Sequence, residues 1–456
     1  MPRRLSFFGC CAVVVLCLAL PVPASAAKPY VVEANGSFPA DLAAKVHGAG
    51  GSLTAVHDEI GMARATSDDP NFAAKLAATA NVSGVYADKL VQWTPSRSSF
   101  TRTATLPSST TAGPNPSGAF FFKCQWNLTQ IDAPGAWAQG VFGSPEIKVA
   151  VLDTGTDPTH IDLAGRIDTE DSTSVLTPGT SPCGPSDETS FVDQDFHGTF
   201  VSSLITSNSR GIAAVAPKTK VVAVKVLNCA GSGTFGDVAA GLHYAAKLHD
   251  VGVINMSLGA LIPKAGNEDL IRFISKAVDF ATDHGKLVVS AAGNSGVDLG
   301  RGSPFIEVPA QSDGGIGVEA LAIDRSLASY SNFGVTTFLD APGGDLPDPF
   351  GPLPGCPLPP SVQPFESLVF GACLSSFCGG NNFYLLGAGT SFASPLVAAV
   401  AELVDSTQGD EISPEHLRHI LDRTATKLGD PHVFGKGEVN ASKAVQTHGE
   451  DNGGDD

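Results

Sequence analysis

The amino-acid sequence predicts an α/β fold, in which a mainly parallel sheet carries helices on both faces. The first observation is a series of continuous apolar runs with strand composition, at residues 147–152, 221–227, 251–256, 287–292 and 318–323. Strands that are buried on both faces read as such runs, because neither face alternates with polar residues. The second observation is that amphipathic segments lie between the runs, as crossover connections between parallel strands require.

Helices are predicted from these amphipathic segments, at residues 198–207, 235–249, 268–284, 390–405 and 414–428. The last of them has a clear start signal. Ser413 is a suitable N-cap, and Pro414 occupies the first helical position, where a missing N–H costs nothing.

A small α+β unit is predicted ahead of the α/β domain. Its predicted elements are a strand at 30–32, a helix at 38–46, a strand at 52–56, a helix at 71–80 and a strand at 82–87.

The composition describes a globular chain. Apolar residues make up 43% of the 456 residues and charged residues 16%, whereas a disordered chain is poorer in apolar and richer in charged residues. The formal net charge is −18 and no run of Lys or Arg occurs, so nothing offers a nucleic acid backbone its counter-charge. We therefore expect no nucleic acid partner.

The first 26 residues have the pattern of a secretory signal peptide. Two arginines precede an apolar stretch at residues 5–22, which ends in Ala24-Ser25-Ala26, the small-x-small pattern that signal peptidase accepts. An uncleaved membrane anchor is the alternative, but the stretch is short for a bilayer span and a cleavage site follows it directly. The sequence predicts a secreted, extracellular protein with no membrane span after signal removal.

Composition also divides the rest of the chain. Residues 27–93 hold the α+β unit, and residues 94–118, dominated by Ser, Thr, Pro and Gly, are predicted to be an exposed linker that a protease reaches easily. The α/β domain is expected at residues 119–447. A Pro-, Gly- and Cys-rich insertion at residues 340–382 is interpreted as a long surface loop held by disulfides, and residues 448–456 as a disordered acidic tail.

Six cysteines lie beyond the signal peptide, at Cys124, Cys183, Cys229, Cys356, Cys373 and Cys378. An even number in an exported protein suggests up to three disulfides, whose pairing the sequence leaves open. Only the pairing of Cys373 with Cys378 is predicted, because the two lie close together along a Gly-rich stretch. Metal ligation by the thiols is the alternative, and it is disfavoured because the chain has no C-x-x-C pair.

Four polar residues lie at predicted ends of strands or helices. Peptide hydrolysis by a serine needs a nucleophilic hydroxyl, an imidazole base, a carboxylate that holds the imidazole, and donors for the oxyanion. Asp153 ends an apolar strand in V-L-D-T-G, and His197 precedes a helix in D-F-H-G-T. Ser391 opens an apolar helix in G-T-S-F-A-S-P, so its backbone N–H is free to donate. Asn294 follows a strand in A-A-G-N-S-G, where a side-chain amide can be a second donor.

Each of these motifs is weak or moderate alone, and their joint occurrence in the order Asp, His, Asn, Ser is decisive. Over about residues 126–445 the sequence resembles the subtilisin-like serine proteases, the subtilase family. The resemblance implies a serine endopeptidase in which Asp153, His197 and Ser391 form the catalytic triad and Asn294 contributes to the oxyanion hole. It also implies protein or peptide substrates and a monomer.

The resemblance also places the substrate cleft. Ser257, Leu258 and Gly259 match the family's substrate-lining strand, while Gly231 and Gly233 belong to the opposite edge. A substrate peptide would lie extended between the two edges and add a strand by backbone hydrogen bonds.

The resemblance also implies a pocket for the side chain of the residue before the scissile bond. With the residues just named, Ala291, Ala292 and Gly293 would wall an apolar pocket, and Glu307 stands where relatives often have a small residue at the pocket floor. If the Glu307 carboxylate points inward, it would favour Lys or Arg at this subsite. An exposed loop carboxylate, or an alignment shifted by one or two residues, is the alternative.

Residues 27–93 resemble the family's inhibitory propeptide, a small ferredoxin-like α+β unit. The resemblance therefore implies a self-processed zymogen, whose own propeptide acts as an intramolecular inhibitor.

Two residues depart from the family pattern: Phe200 stands where a small residue or His is usual, and Phe392 where Met is usual. Both substitutions leave the catalytic groups intact and bear on substrate fit.

No cofactor and no catalytic metal is implied. Structural calcium is common in the family, and the acidic segment 168–171 and the pair Asp193 and Asp195 are candidate ligands. A solvated acidic surface is the alternative.

Three rival interpretations can be compared with the motifs. Sedolisins carry a similar serine motif but use Glu in place of the histidine and Asp in place of the oxyanion Asn, so His197 and Asn294 argue against them. An aspartic protease needs two D-T-G or D-S-G motifs, and this chain has one. A catalytically silent secreted binding protein of the same fold is the remaining alternative, although all four chemical groups are kept.

Overall fold

The computed structural model describes residues 27–94, 103–111, 113, 115–347, 351–359, 361–362, 365, 367–408 and 412–446. The predicted signal peptide and acidic tail lie outside the described residues. No helix in the described part of the chain is long and apolar enough to cross a membrane.

The N-terminal unit is a four-stranded antiparallel sheet with two helices. Its elements are β1 (Lys28–Ala34), α1 (Leu42–Gly48), β2 (Gly51–His57), β3 (Met62–Ser67), α2 (Phe72–Ala77) and β4 (Val82–Ala87). The strand order is β2-β3-β1-β4, and Val32, Leu42, Val46 and Phe72 pack in a core between sheet and helices. The sequence analysis missed β3, because half of its residues are polar and its pairing with both neighbours is nonlocal.

The remaining chain builds the α/β domain. β5 (Leu90–Gln92) ends the N-terminal unit, and the first elements of the domain are β6 (Thr103–Thr105), α3 (Trp126–Gln130), α4 (Ala133–Ala138), β7 (Lys148–Asp153), β8 (Thr173–Ser174), α5 (Pro185–Thr189), α6 (His197–Ile205), β9 (Val221–Lys225), β10 (Ser232–Thr234), α7 (Phe235–Ala246) and β11 (Val251–Met256).

The second half of the domain continues the alternation of strands and helices. Its elements are β12 (Ala260–Pro263), α8 (Glu268–Asp283), β13 (Leu287–Ala291), β14 (Phe305–Val308), β15 (Ile316–Leu321), β16 (Leu339–Pro342), β17 (Val369–Ala372), α9 (Ser375–Cys378), β18 (Phe383–Gly387), α10 (Thr390–Asp405), α11 (Pro414–Thr424), α12 (Pro431–Phe434) and α13 (Ala441–Ala444).

Seven strands form the central sheet, in the order β16-β15-β13-β11-β7-β9-β8, and every pair is parallel. One apolar core lies on the face covered by α6 and α10, and the other lies on the face covered by α7 and α8. The prediction of a mainly parallel sheet with helices on both faces is therefore confirmed. The carboxyl ends of β7, β11 and β13 meet at one edge of the sheet, where parallel α/β folds place their sites.

Helix starts follow local capping rules. Thr234 caps α7 by accepting a hydrogen bond from the N–H of Asp237, and the Asp237 carboxylate accepts one from the N–H of Thr234 in return. The predicted cap of α11 is also present, since Ser413 accepts a hydrogen bond from the N–H of His416.

The predicted exposed linker at residues 94–118 differs from the structure in part. Residues Thr103–Thr105 form β6, which pairs antiparallel with β18, and Leu106 is buried beside Phe121 and Tyr384. This short strand has too few residues for periodicity to be recognised, and it is held by partners nearly 280 positions away in the chain.

The insertion at residues 340–382 is not simply a surface loop. It contains β17, which pairs antiparallel with β18, and its residues Val369 and Phe370 are fully buried. The sequence did not predict this strand because the segment is rich in Pro and Gly, and because the strand that pairs with β17 lies outside the segment.

The described residues contain three disulfides: Cys124–Cys356, Cys183–Cys229 and the predicted Cys373–Cys378. The first and third hold the segment 340–382, one to the start of the domain and one within itself.

Candidate active site

Asp153 and His197 are joined by hydrogen bonds at the carboxyl edge of the sheet. Asp153 is the last residue of β7, and His197 is the first residue of α6. His197 Nδ1 lies 2.8 Å from Asp153 Oδ1 and 3.0 Å from Oδ2, and both side chains are inaccessible to solvent. A carboxylate that accepts the Nδ1 proton holds the ring in the tautomer whose Nε2 can accept a proton.

The turn before His197 is built around a second buried carboxylate. Asp193 Oδ1 accepts hydrogen bonds from the N–H groups of Asp195 and Phe196 and from Thr154 Oγ1. Its Oδ2 accepts bonds from the N–H and hydroxyl of Thr199, 3.0 Å and 2.6 Å away. These bonds maintain Phe196 at a φ of 142°, which a non-glycine residue adopts only under constraint. Asp193 therefore positions the imidazole, a role that the sequence analysis did not recognise.

Electrostatics favour the protonated form of His197. Burial lowers the pKa of the His197 ring, but the charge of Asp153 and its hydrogen bond outweigh burial, so the net pKa is above its ordinary value. Within the described residues no hydrogen bond reaches His197 Nε2, although this atom is buried. The basic nitrogen is therefore free for a proton that comes from elsewhere.

Ser391 is the second residue of α10, the helix whose next residue lies beside the His197 ring. The adjoining ring of Phe392 lies 5.8 Å from the His197 ring, centroid to centroid, and also packs at 4.2 Å against Phe200. The two aromatic residues that depart from the family pattern thus pack against each other in a tilted arrangement, and Phe392 lies beside the imidazole. No hydrogen bond joins Ser391 to His197 in this conformation, and catalytic hydrogen bonds are often long before substrate binds.

Asn294 is held by its amide oxygen. Oδ1 accepts hydrogen bonds from the N–H of Thr390 at 2.9 Å and from Thr390 Oγ1 at 3.0 Å. Since both bonds occupy the oxygen, the amide NH₂ group of Asn294 is left to donate. Thr390 Oγ1 also accepts a hydrogen bond from the N–H of Gly293, so one threonine side chain ties this loop to the start of α10. The motif G-T-S contains this threonine, but its positioning role was not inferred from the sequence.

A model of the subtilase family matches residues 144–437. The chain belongs to this family. It is 35% identical to M-protease of Shouchella clausii (strain KSM-K16) over 323 residues, which are 70% of this chain and 70% of that protein. It is 32% identical to thermitase of Thermoactinomyces vulgaris over 339 residues, which are 73% of this chain and 99% of that protein. The protein is therefore a serine endopeptidase, and its substrates are proteins or peptides.

A solved structure shares the fold of this subtilase. The crystal structure of an epidermin leader peptide processing serine protease from Staphylococcus aureus superposes with a TM-score of 0.75. The match covers 94% of this chain and 100% of the other, at 23% identity. At this identity the likeness concerns the fold alone.

The cleft of this subtilase is occupied by its own chain. Strand β5 pairs antiparallel with β10, so that Gln92 faces Ser232 and Val91 faces Gly233. The N–H of Trp93 donates to the carbonyl oxygen of Gly231, and the N–H of Gly259 donates to the carbonyl oxygen of Trp93 at 3.4 Å. The segment ending at residue 94 therefore runs between the two edges that the sequence analysis assigned to substrate.

Two predicted substrate residues have other surroundings. The Ser257 hydroxyl is buried against the start of α10, where it donates to the carbonyl oxygen of Ser391 at 2.7 Å and contacts Ser394 Oγ. Ala292 packs in a small core with Ala310 and Phe338 instead of facing the cleft. Ser257 thus supports the active site.

The other residues assigned to this pocket line the cleft. They are Leu258, Gly259, Ala291, Gly293 and Glu307, which lie beside Asn294 and Ser391. Trp93, from the segment that occupies the cleft, also borders this pocket. Alternation along a strand decides which alanine faces the pocket, and the local sequence A-A-G does not reveal it.

The candidate calcium ligands already have partners. Asp168 and Asp171 both form ion pairs with Lys148, 2.6 Å and 2.9 Å from its Nζ. Asp193 accepts five hydrogen bonds, as described above. The described residues contain no group of three or more His, Cys, Asp or Glu side chains arranged to hold a metal ion.

Proposed function

We propose that this subtilase is a secreted zymogen that cleaves itself and then hydrolyses proteins through Asp153, His197 and Ser391. Asn294 and the backbone N–H of Ser391 form the oxyanion hole. The observation that carries the proposal is the buried His197 ring, which binds Asp153 through Nδ1 and leaves Nε2 free beside the start of α10.

In this mechanism Ser391 Oγ attacks the carbonyl carbon of the scissile peptide bond. His197 Nε2 takes the hydroxyl proton and later gives it to the leaving amine, while Asp153 stabilises the imidazolium that forms. The developing oxyanion accepts hydrogen bonds from the Asn294 NH₂ group and from the Ser391 N–H, which has no helical partner at the second residue of α10. Water then hydrolyses the acyl-enzyme by the same proton transfers.

Contacts of the N-terminal unit support its role as an inhibitor. Asp88 accepts hydrogen bonds from the N–H of Gly236, at the start of α7. Arg64 pairs with Asp237 of the same helix and donates to the carbonyl oxygen of Val175 at 2.8 Å. Together with β5 in the cleft, these contacts would exclude a second peptide from the active site. Cleavage beyond residue 94, followed by loss of the unit, would open it.

The test is intact mass together with labelling by a fluorophosphonate, on the secreted wild type and on Ser391→Ala. We expect the wild type to lose its N-terminal unit and take the label, whereas Ser391→Ala does neither. Ser406→Ala is the matched control, since this serine lies at the opposite end of α10, and it should keep the label. A folded wild type that stays full-length and unlabelled, even after its linker is cut with a second protease, would favour the silent binding protein.

A further inference from the structure

Glu307 places a carboxyl group in the wall of the substrate cleft. It lies in β14, where it pairs with Leu261 of β12, and it is only 2% exposed. A Cβ atom built on Gly293 would lie 2.6 Å from Glu307 Cδ, and one on Gly259 would collide with Glu307 Oε1. The carboxyl group therefore packs directly against the two glycines that wall the pocket. It points inward, and the alternative of an exposed loop carboxylate does not apply.

This carboxyl group has no cationic partner. Oε2 accepts a hydrogen bond from Asn332 Nδ2 at 3.2 Å, and within the described residues no Lys, Arg or His side chain forms an ion pair with Glu307. Burial raises the pKa of Glu307 to about 8. An unpaired carboxylate is costly to bury, and a cation that arrives with a ligand removes that cost.

Some buried carboxyls of the chain are satisfied within the fold. Glu438, for example, is 1% exposed and accepts hydrogen bonds from Arg325 Nε at 2.8 Å and Gln130 Nε2 at 2.7 Å. Glu307 differs because it faces a cleft that a substrate side chain enters, and because its remaining oxygen lies between the two glycines.

We propose that Glu307 is a specificity-determining residue, which selects substrates with Lys or Arg immediately before the scissile bond. This inference rests on the proposed function, because it assigns the substrate class of the same site. The apolar stem of a Lys or Arg side chain would pack along Leu258 and Ala291, and its charged head would meet the Glu307 carboxylate. Arg can form two parallel hydrogen bonds with a carboxylate, which adds geometric selectivity.

The experiment measures kcat/KM for peptides that differ only in the residue before the scissile bond, which is Lys, Arg, Phe or norleucine. The enzymes are the secreted, processed wild type and Glu307→Gln. Norleucine matches the Lys stem but lacks its charge. We expect kcat/KM at pH 9 to favour Lys over norleucine by at least about 30-fold, as for a desolvated charge pair, and Glu307→Gln to remove this preference. Glu319→Gln is the matched control, since it makes the same replacement at a buried glutamate outside the cleft and should keep the preference.

The pH dependence is a further readout. The ratio of kcat/KM for Lys to that for norleucine should rise as pH increases through about 8, because only ionised Glu307 attracts the cation. Titration of His197 affects both peptides alike and cancels in the ratio. A purely structural glutamate would leave the ratio independent of pH.

The wild type alone supplies a second test if Glu307→Gln does not fold. Benzamidine, whose amidinium group is positively charged, should inhibit competitively at concentrations at least tenfold below those of neutral benzamide. Equal inhibition, or a preference for norleucine or Phe that Glu307→Gln leaves unchanged, would overturn the inference. Fluorophosphonate labelling distinguishes failure of this inference from failure of the proposed function. An unlabelled enzyme would overturn both of them. A labelled enzyme without a preference for Lys would overturn this inference alone.

Discussion

The indole N–H of Trp93 donates a hydrogen bond to the carbonyl oxygen of Gly233 over 2.9 Å. This bond joins the end of the N-terminal unit to the edge strand of the cleft. The same indole packs edge-on against Phe235 at 4.8 Å between ring centroids, and it is almost completely buried. Trp93 is thus the main apolar anchor of the segment that occupies the cleft.

Trp93→Ala should loosen this segment without unfolding the domain. Truncating a buried tryptophan costs about 3 to 5 kcal/mol, so local opening should become at least about 100-fold more frequent. Hydrogen exchange of the β5 and β10 amides, measured in full-length Ser391→Ala, reports this opening. Tyr86→Ala removes a partly exposed aromatic residue of the same unit and should leave these rates unchanged. Unaltered exchange in Trp93→Ala would contradict the anchor role.

Asp153→Asn should lower kcat by about 10⁴-fold with little change in KM, because an amide partner stabilises the wrong tautomer of His197. The general base must be neutral, so kcat/KM should rise with pH through the His197 pKa. Burial lowers the His197 pKa, but the charge of Asp153 and its hydrogen bond together raise it by more than burial lowers it. The increase of kcat/KM in the wild type is therefore centred above pH 6.5. The variant should show its rise at lower pH. A pH profile with the same midpoint for both enzymes would contradict this coupling.

Asn294→Asp separates the acceptor role of the Asn294 side-chain amide from its donor role. The carboxylate keeps the acceptor for Thr390 N and Oγ1 but lacks the NH₂ donor. We expect kcat to fall by about 10²- to 10³-fold with an unchanged urea midpoint. Asn294→Ala should show a similar loss of kcat and also a lower midpoint, because the start of α10 loses its acceptor. A variant Asn294→Asp with nearly full activity would exclude Asn294 from the oxyanion hole.

Glu319 and Asp340 face each other in adjacent strands β15 and β16, and both are inaccessible to solvent. The described residues offer neither carboxyl group another hydrogen-bond partner. Burial, with the neighbouring Asp340, raises the pKa of Glu319 to about 11, and burial also raises the pKa of Asp340. Since both values are higher in the folded state, this pair contributes stability that is complete below about pH 4 and is lost as the pH rises towards 11.

Glu319→Gln should remove much of this pH dependence. In the Ser391→Ala background, the gain in free energy of unfolding over the parent should be near zero at pH 4 and exceed about 1 kcal/mol at pH 9. Urea unfolding at both pH values measures the gain. Glu170→Gln, at an exposed position, should give no such difference. A gain that is equal at both pH values would show that the pair does not titrate as described.

Long apolar runs made several elements predictable from sequence. The predicted strand at 251–256 and helix at 390–405 coincide with β11 and α10, because a buried segment of either kind is apolar along its whole length. Motifs at the ends of these elements also identified Asp153 and His197, which the structure joins by hydrogen bonds. Strand ends in a parallel sheet share one edge, so motifs far apart in the chain converge there.

Elements held by distant partners were missed. β3, β6 and β17 are short or half polar, and each exists because a strand elsewhere in the chain supplies its hydrogen bonds. The sequence also did not reveal the direction in which individual side chains point. Ser257 contacts the start of α10 instead of facing the cleft, and of the two alanines expected in the pocket wall Ala291 lines the cleft whereas Ala292 does not.

By itself, the sequence determined the α/β class, the family and the residue types available for catalysis, because local periodicity and short motifs encode them. Only the tertiary structure decided that Glu307 points into the pocket, between Gly259 and Gly293 and beside Asn332. The physical reason is that a side chain's direction and protonation depend on desolvation and contacts contributed by residues distant in the chain.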